Sequence, residues 1–283
     1  MDLSNYPVTH AEEIRNLVSI YLAEDIGDGD LTAALVPTET VVGKIISREA
    51  GVLCGMSFAN EVFAQVDRSI EIDWHFSDSD SVQANDHLCT ISGSARSILT
   101  AERCVLNILQ TLSGTASVTK TYTEKLKPYK TSLLDTRKTI PGLRNAQKYA
   151  VLCGGGTNHR IGLYDGILIK ENHLRSGNTL EEVVDLAIST APKNALVGIE
   201  VETIKELERA LNTPITRVLL DDFTVEAMRE AVAIVAGRIE LEASGNVTLE
   251  NIAEIAATGV NFISTSAIIK NLKALDLSLL FDY

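Results

Sequence analysis

Along residues 11–23 the apolar positions Ile14, Leu17, Val18, Tyr21 and Leu22 fall on one face of a 3.6-residue helix, and the pattern breaks at EDIGDGDLT (24–32). Two glycines and three aspartates between residues 25 and 30 mark that break as a solvated turn, and its ligand spacing is wrong for an EF-hand calcium loop. Residues 40–56 and 70–76 are rich in β-branched and aromatic side chains and predict strands, while FANEVFAQV (58–66) between them has helical spacing. A long helix is predicted over 95–126, ended by Pro128. This first part reads as mixed α/β.

From residue 131 short apolar runs alternate with amphipathic segments: TSLLD, GILIK, LVGIEVE, RVLLD, RIELEAS and VNFIS. Their ends fall near residues 135, 170, 201, 221, 243 and 264, so the later units recur every 20 to 22 residues. Strands apolar nearly throughout, each followed by a helix, predict a parallel sheet covered by helices, and six such units predict a closed or nearly closed βα barrel. Polar residues gather where each run ends: 135–138, Lys170, Glu200 and Glu202, Asp221 and Asp222, 242–246, and 264–266. The C-terminal rim of a barrel is where loops from different strands converge, so these clusters mark an enzyme site. The two-residue period puts Glu200 with Glu202, and Glu240 with Glu242 and Ser244, on shared faces. Inward carboxylates need cations, so Glu202 and Glu240 are also readable as plain interior partners of lysines.

Composition narrows the class. The chain has 283 residues, 45% hydrophobic and 22% charged, enough for one large or two modest folded domains and unlike a disordered chain. A net charge of -13 argues against nucleic acid or an anionic membrane as partner. No apolar run approaches the roughly 18 residues of a membrane span, and MDLSNYPVTHAEEI lacks a signal-peptide pattern. A soluble, unprocessed protein is expected. Four cysteines without a CxxC pair suit the reducing cytoplasm. Against the acidic background, residues 137–175 carry seven Lys or Arg (137, 138, 144, 148, 160, 170, 175) and two acids, a local net of +5. With Gly154 to Gly156, His159 and His173, this block suits a polyanionic substrate. The glycine run has neither the Walker lysine pattern nor dinucleotide spacing.

The block DTRKTIPGLRNAQKYAVLCGGGTNHRIGLYDGILIKENHL (135–174) closely resembles the quinolinate phosphoribosyltransferases, also called nicotinate-nucleotide pyrophosphorylases (carboxylating). The resemblance extends to EDIGDGDLT, AERCVLNILQTLSGTAS (101–117), IEVE (199–202), LLDDF (219–223), SGN (244–246) and FISTSAIIKNLKALDLS (262–278). It implies an N-terminal α/β sandwich over 1–112, joined by a C-terminal helix at 270–283, and an incomplete TIM-like βα barrel over 113–269. It implies a homodimer, with higher oligomers open, in which the first domain of one subunit caps the barrel of the other. The reaction implied is quinolinate plus phosphoribosyl pyrophosphate giving nicotinate mononucleotide, pyrophosphate and carbon dioxide in NAD biosynthesis, with Mg²⁺. By motif, Arg137, His159, Arg160 and Lys170 match the quinolinate-binding positions, and Arg103 matches an arginine lent by the partner subunit. Lys138, Glu200 and Asp221 match the catalytic positions around ribose, pyrophosphate and magnesium, the two carboxylates as metal ligands, direct or indirect. Thr136, Ser244, Gly245, Asn246, Ser264, Thr265 and Ser266 match the phosphate-binding positions.

The chemistry is reasonable on its own terms, since a guanidinium grips a carboxylate through paired hydrogen bonds and carboxylates stabilise an oxocarbenium-like centre. Two positions depart from the family pattern: Ser266 stands where glycine is usual and Asp222 where asparagine is usual, so Ser266→Gly is expected to tighten phosphoribosyl pyrophosphate binding. Cys153 and His173 read as packing and supporting groups, since no Cys/His pair with an orienting acid can be assembled. Rival readings are a nicotinate-preferring enzyme, a molybdenum-locus ModD-like transferase, a Schiff-base aldolase built on Lys170, and a barrel that only binds a pyridine carboxylate. The ModD-type chains lose the KENH ending that is intact here.

Overall fold

The computed structural model describes residues 11–36, 39–174, 179–193 and 195–281; Arg175 of the basic block lies outside them. In chain order the elements are α1 (Ala11–Ile26), β1 (Thr40–Ser47), β2 (Gly51–Val52), α2 (Met56–Val66), β3 (Glu71–Trp74), β4 (Ser81–Val82), β5 (His87–Ser94) and α3 (Ala95–Leu126). Then come β6 (Ser132–Leu134), α4 (Arg144–Cys153), β7 (Gly166–Ile169), α5 (Glu171–Leu174), α6 (Leu180–Thr190), β8 (Leu196–Val201) and α7 (Ile204–Ala210). The chain finishes with β9 (Arg217–Asp221), α8 (Val225–Val235), β10 (Glu240–Ser244), α9 (Ile252–Ala256), β11 (Phe262–Ser264), α10 (Ala267–Lys270) and β12 (Leu277–Phe281). Two compact units result: residues 1–120, 145–155 and 272–283, and residues 121–144 and 156–271.

The first unit holds a four-stranded sheet in the order β12-β1-β5-β3, all pairs antiparallel, and a small β2-β4 pair. β5, unremarked in the hydrophobic pattern, is a central strand. The expected strand over 40–56 breaks after Ser47, and α2 begins at Met56. On α3, Ser113 and Ser117 sit one turn apart, and their Oγ atoms accept from the backbone N–H groups of Cys54 (2.9 Å) and Val52 (2.8 Å). That pairing accounts for a serine at position 113 with no solvent exposure.

One expectation about the end of the chain is corrected. The terminal helix at 270–283 is not found: α10 ends at Lys270, and Leu277–Phe281 forms β12, antiparallel to β1 from Ser47↔Leu277 to Gly43↔Phe281. The outer edge of β1 offers unpaired N–H and C=O groups, and satisfying them outweighs the helical potential of an apolar tail. The division at 112/113 falls inside α3, which runs unbroken to Leu126, and residues 145–155 group with the first unit.

The second unit is a parallel six-stranded sheet in the order β6-β11-β10-β9-β8-β7. Its edges are the first and second strands in sequence, so the order is a cycle with one unpaired seam. All six strand ends line a single cleft, which shows that the sheet curls into an incomplete barrel. Three βα junctions are fixed locally by a threonine at the start of the helix: Thr179 and Thr203 form reciprocal capping boxes with Glu182 and Glu206, and Thr224 caps α8. No helix among the described residues is long and apolar enough to cross a membrane.

Candidate active site

Two confluent clefts open at the C-terminal ends of the second unit's strands, one of 380 Å³ and one of 740 Å³, sharing Thr136, Lys138, Asp221, Ser244 and Ser264. The smaller is lined by cations above an apolar floor of Leu168 and Leu219. Its loops are held by buried polar groups. Asp135, fully buried at the end of β6, accepts from the His159 N–H at 2.8 Å and from the Asn158 side-chain amide. Asp165 accepts from the N–H groups of Ile161 (2.7 Å) and Gly162 (2.8 Å), and Arg144 donates to the carbonyls of Arg137 (3.2 Å) and Ile161 (3.3 Å). The result is that 136–138 and 159–160 present their side chains from two braced loops.

The electrostatics of the smaller cleft suit an anion. Arg160 donates one bond to the Gly166 carbonyl at 2.9 Å, and its guanidinium is held below its ordinary value by burial and then by the like charge of Arg137, with Asp165 opposing. Arg137 Nε is buried without a hydrogen-bond partner. Two arginines whose charges oppose each other are stabilised by a carboxylate that pairs with both. His159 is 9% exposed, and its Nδ1 accepts from the Arg160 N–H at 2.7 Å. Lys170 is ion-paired with Glu200 through Oε2 and half-exposed, and its N–H donates to His173 Nδ1 at 2.9 Å, the supporting role expected of that histidine. A Schiff-base lysine needs a desolvated amine, which this is not.

Asp221 stands at the end of β9, where the two clefts meet. Burial, then Glu200 and Asp222, push its carboxyl above the usual value, with Lys170 and Lys138 pulling the other way. The larger cleft is a polar cradle in which Gly245 and Asn246 have left-handed backbones, φ 92° and 49°. Thr265 binds the turns together: its N–H donates to the Leu134 carbonyl (3.1 Å), while its Oγ1 accepts from the Ala267 N–H (3.1 Å) and donates to the Val247 carbonyl (3.4 Å). Ser266 has φ -84°, a conformation open to any residue, so the backbone places no demand for glycine there.

Every site residue expected from the sequence except Arg103 lines one or both clefts. Arg103 projects from α3 on the first unit, 70% exposed, 3.3 Å from Glu102. Glu240 is not an interior partner of lysine: at the opposite end of β10 it takes a two-pronged bond from Arg217, 2.7 and 3.0 Å, because the parallel register sets those two residues side by side. Glu202, beyond the end of β8, is exposed and lines neither cleft. Asp135 and Arg144 belong to clusters that mark the site in the sequence, but their bracing role, and that of Asp165, shows only in the hydrogen bonds that they make. The glycine run is structural: a Cβ at Gly154 would lie 2.4 Å from the Ala116 carbonyl oxygen and 2.5 Å from Thr119 Cβ.

An incomplete βα barrel whose rim joins an arginine-rich cleft to a polar cradle defines an enzyme that brings two anionic small molecules together. Comparison with known proteins names the group. Residues 30–113 match the N-terminal domain of quinolinate phosphoribosyl transferase and residues 115–280 its C-terminal domain. The chain belongs to the quinolinate phosphoribosyltransferase family. The nicotinate-nucleotide pyrophosphorylase of Francisella tularensis superposes with a TM-score of 0.92 at 48% identity, covering 96% of this chain and 97% of that one. The enzyme of Ehrlichia chaffeensis gives 0.89 at 34%, covering 94% and 98%. Quinolinate phosphoribosyltransferase (decarboxylating) 1b of Nicotiana tabacum is 38% identical over 297 residues, 98% of this chain and 84% of its own.

Proposed function

We propose that the protein transfers the phosphoribosyl group of phosphoribosyl pyrophosphate to quinolinate, with decarboxylation, giving nicotinate mononucleotide, pyrophosphate and carbon dioxide. The observation that carries this is the convergence of Arg137 and Arg160, mutually repelling and short of partners, on a cleft that opens directly into the polar cradle at 244–246 and 264–266. Arg137, His159, Arg160 and Lys170 hold the ring dicarboxylate, and the cradle holds the 5′-phosphate. The ring nitrogen then lies against C1′: the N–C1′ bond forms as the C1′–O bond to pyrophosphate breaks. Glu200 and Asp221 stabilise the positive charge developing at C1′, and Lys138, which lines both clefts, faces the departing pyrophosphate. The carboxyl group at C2 next leaves as carbon dioxide, its bonding pair staying on C2, drawn by the cationic ring nitrogen, until a proton is taken up. Positioning and charge do most of this work.

Glu200 and Asp221 fit a Mg²⁺ ion shared with substrate. The crowding that raises the Asp221 carboxyl is what a cation would relieve, and no group of three His, Cys, Asp or Glu among the described residues forms an all-protein site. Mg²⁺ takes one or two carboxylates together with phosphates and water. When bound, it neutralises charge on the pyrophosphate. The shared-site homodimer is supported by Arg103, an exposed arginine in a family motif that lines neither cleft of the second unit. Four free, buried cysteines support a cytoplasmic setting.

The test is incubation with quinolinate, phosphoribosyl pyrophosphate and Mg²⁺, following nicotinate mononucleotide by mass and carbon dioxide release, with nicotinate in parallel. Product from quinolinate is expected; turnover of nicotinate alone, or of neither, overturns the reading.

A further inference from the structure

Glu242 lies in the middle of β10, 1% exposed, among the lining of the smaller cleft, and neither carboxylate oxygen has a hydrogen-bond partner. An ionised carboxylate so buried is costly unless a cation answers it. From below, Arg217 Nη1 is 3.9 Å away, but that guanidinium is already engaged by Glu240 at 2.7 and 3.0 Å and stacked 3.9 Å over the Phe262 ring. Arg217 is thus one guanidinium set against two carboxylates, Glu240 and Glu242. From the cleft side Glu242 Oε2 meets His159 Nε2 at 3.4 Å, while the ring's Nδ1 accepts from the Arg160 N–H. The Glu242 carboxylate thus faces the space where Arg137, Arg160 and Lys170 gather an anion.

We propose that Glu242 is a positioning residue that, through His159, loosens the resting grip on the dianionic pyridine ring and favours the positive charge that grows on it as the N–C1′ bond forms. The inference rests on the function proposed above. One buried charge acts with opposite signs on two stages. It repels the bound dicarboxylate in the ground state, and it attracts the ring nitrogen and C1′ as they become cationic. The same repulsion favours departure of the C2 carboxyl as neutral carbon dioxide. Interactions that are stronger in the transition state than in the ground state raise kcat rather than tighten binding.

The test is Glu242→Gln and Glu242→Asp, with quinolinate affinity measured by calorimetry on the resting protein, and kcat and the quinolinate KM at saturating phosphoribosyl pyrophosphate. Glu242→Gln is expected to bind quinolinate about threefold or more tighter while kcat falls about tenfold or more, the signature of removed ground-state strain. Glu242→Asp keeps the charge and is expected to keep both within about fivefold. A merely structural role would weaken binding and turnover together. Unchanged kcat in a folded Glu242→Gln protein, or weaker quinolinate binding by it, overturns the proposal. If that variant does not fold, a folded Glu242→Asp protein that loses turnover and affinity together does so. Wild-type protein that neither binds nor turns over quinolinate refutes the proposed function and this inference with it, whereas an active wild type with an unaltered Glu242→Gln variant refutes only the latter.

Discussion

Asp222 Oδ1 accepts a hydrogen bond from Asn246 Nδ2 at 2.9 Å, which clamps the residue after β9 against the turn after β10. Both residues have left-handed backbones, φ 53° and 49°, and the Asp222 N–H donates to the Ser244 carbonyl at 3.0 Å. A Cβ at Gly245 would lie 2.0 Å from Asp222 Oδ1, so glycine is required there both by its φ of 92° and by this contact. The clamp holds a carboxylate beside the cradle that is proposed to bind phosphate.

Asp222→Asn retains an oxygen that accepts from Asn246 and removes a charge that repels phosphate. Its KM for phosphoribosyl pyrophosphate is expected to fall about three- to tenfold at low salt, less as salt is raised, with kcat nearly unchanged. Contrary to the expectation from the sequence, Ser266→Gly is expected to leave that KM within about twofold rather than lower it, since the Ser266 backbone, at φ -84°, is open to any residue. Steady-state kinetics at two ionic strengths checks both, and a raised KM in Asp222→Asn would refute the repulsion.

Arg160→Lys replaces a planar fork by a single ammonium and loses the donor to the Gly166 carbonyl. The quinolinate KM is expected to rise about ten- to a hundredfold, with the KM for phosphoribosyl pyrophosphate within about threefold. Equal losses for both substrates would show that the residue braces the loop rather than grips the ring.

Asp78, half-buried, accepts from Tyr149 Oη at 2.8 Å and from the N–H groups of Gly55 (2.9 Å) and Met56 (3.2 Å), yet burial outweighs these bonds and pushes its carboxyl above 3.8. A raised folded-state value means that the protonated carboxyl favours the fold. That contribution is complete below the ordinary value and is lost as pH rises through the raised one. Asp78→Asn, which does not titrate, is therefore expected to gain Tm relative to wild type between acidic pH and pH 7, by a few degrees. Calorimetry across that range decides it; a difference independent of pH would remove Asp78 as the source.

Gly154→Ala drives a methyl group into the Ala116 carbonyl and Thr119 on α3. Overpacking of this kind costs about 1–3 kcal/mol, so Tm is expected to fall by roughly 3–10 °C in thermal unfolding. An unchanged Tm would mean that the end of α4 shifts freely.

Arg103→Ala and Lys138→Ala chains are each expected to be nearly inactive, and mixing them is expected to restore activity in heterodimers that carry one intact shared site. Subunit exchange shown by native mass spectrometry without any recovery would eliminate the arginine in trans.

Much of this protein was legible along the chain. Local rules determined α3, which runs from Ala95 to Leu126 as its periodicity and Pro128 require, and the six strand ends from 135 to 264, because hydrophobic period and helix stops are short-range information. The residues of the clefts followed, since a barrel presents its chemistry where its strands end. Tertiary structure decided what depends on partners far away in sequence. Leu277–Phe281 became a strand because the edge of β1, 230 or more residues earlier, offered hydrogen-bond partners. Glu240 and Glu242 share a strand face and look alike in sequence. Register gave Glu240 the Arg217 fork and left Glu242 buried without a hydrogen bond, because the neighbours of a charge, and hence its energy, are set by packing rather than by its place along the chain.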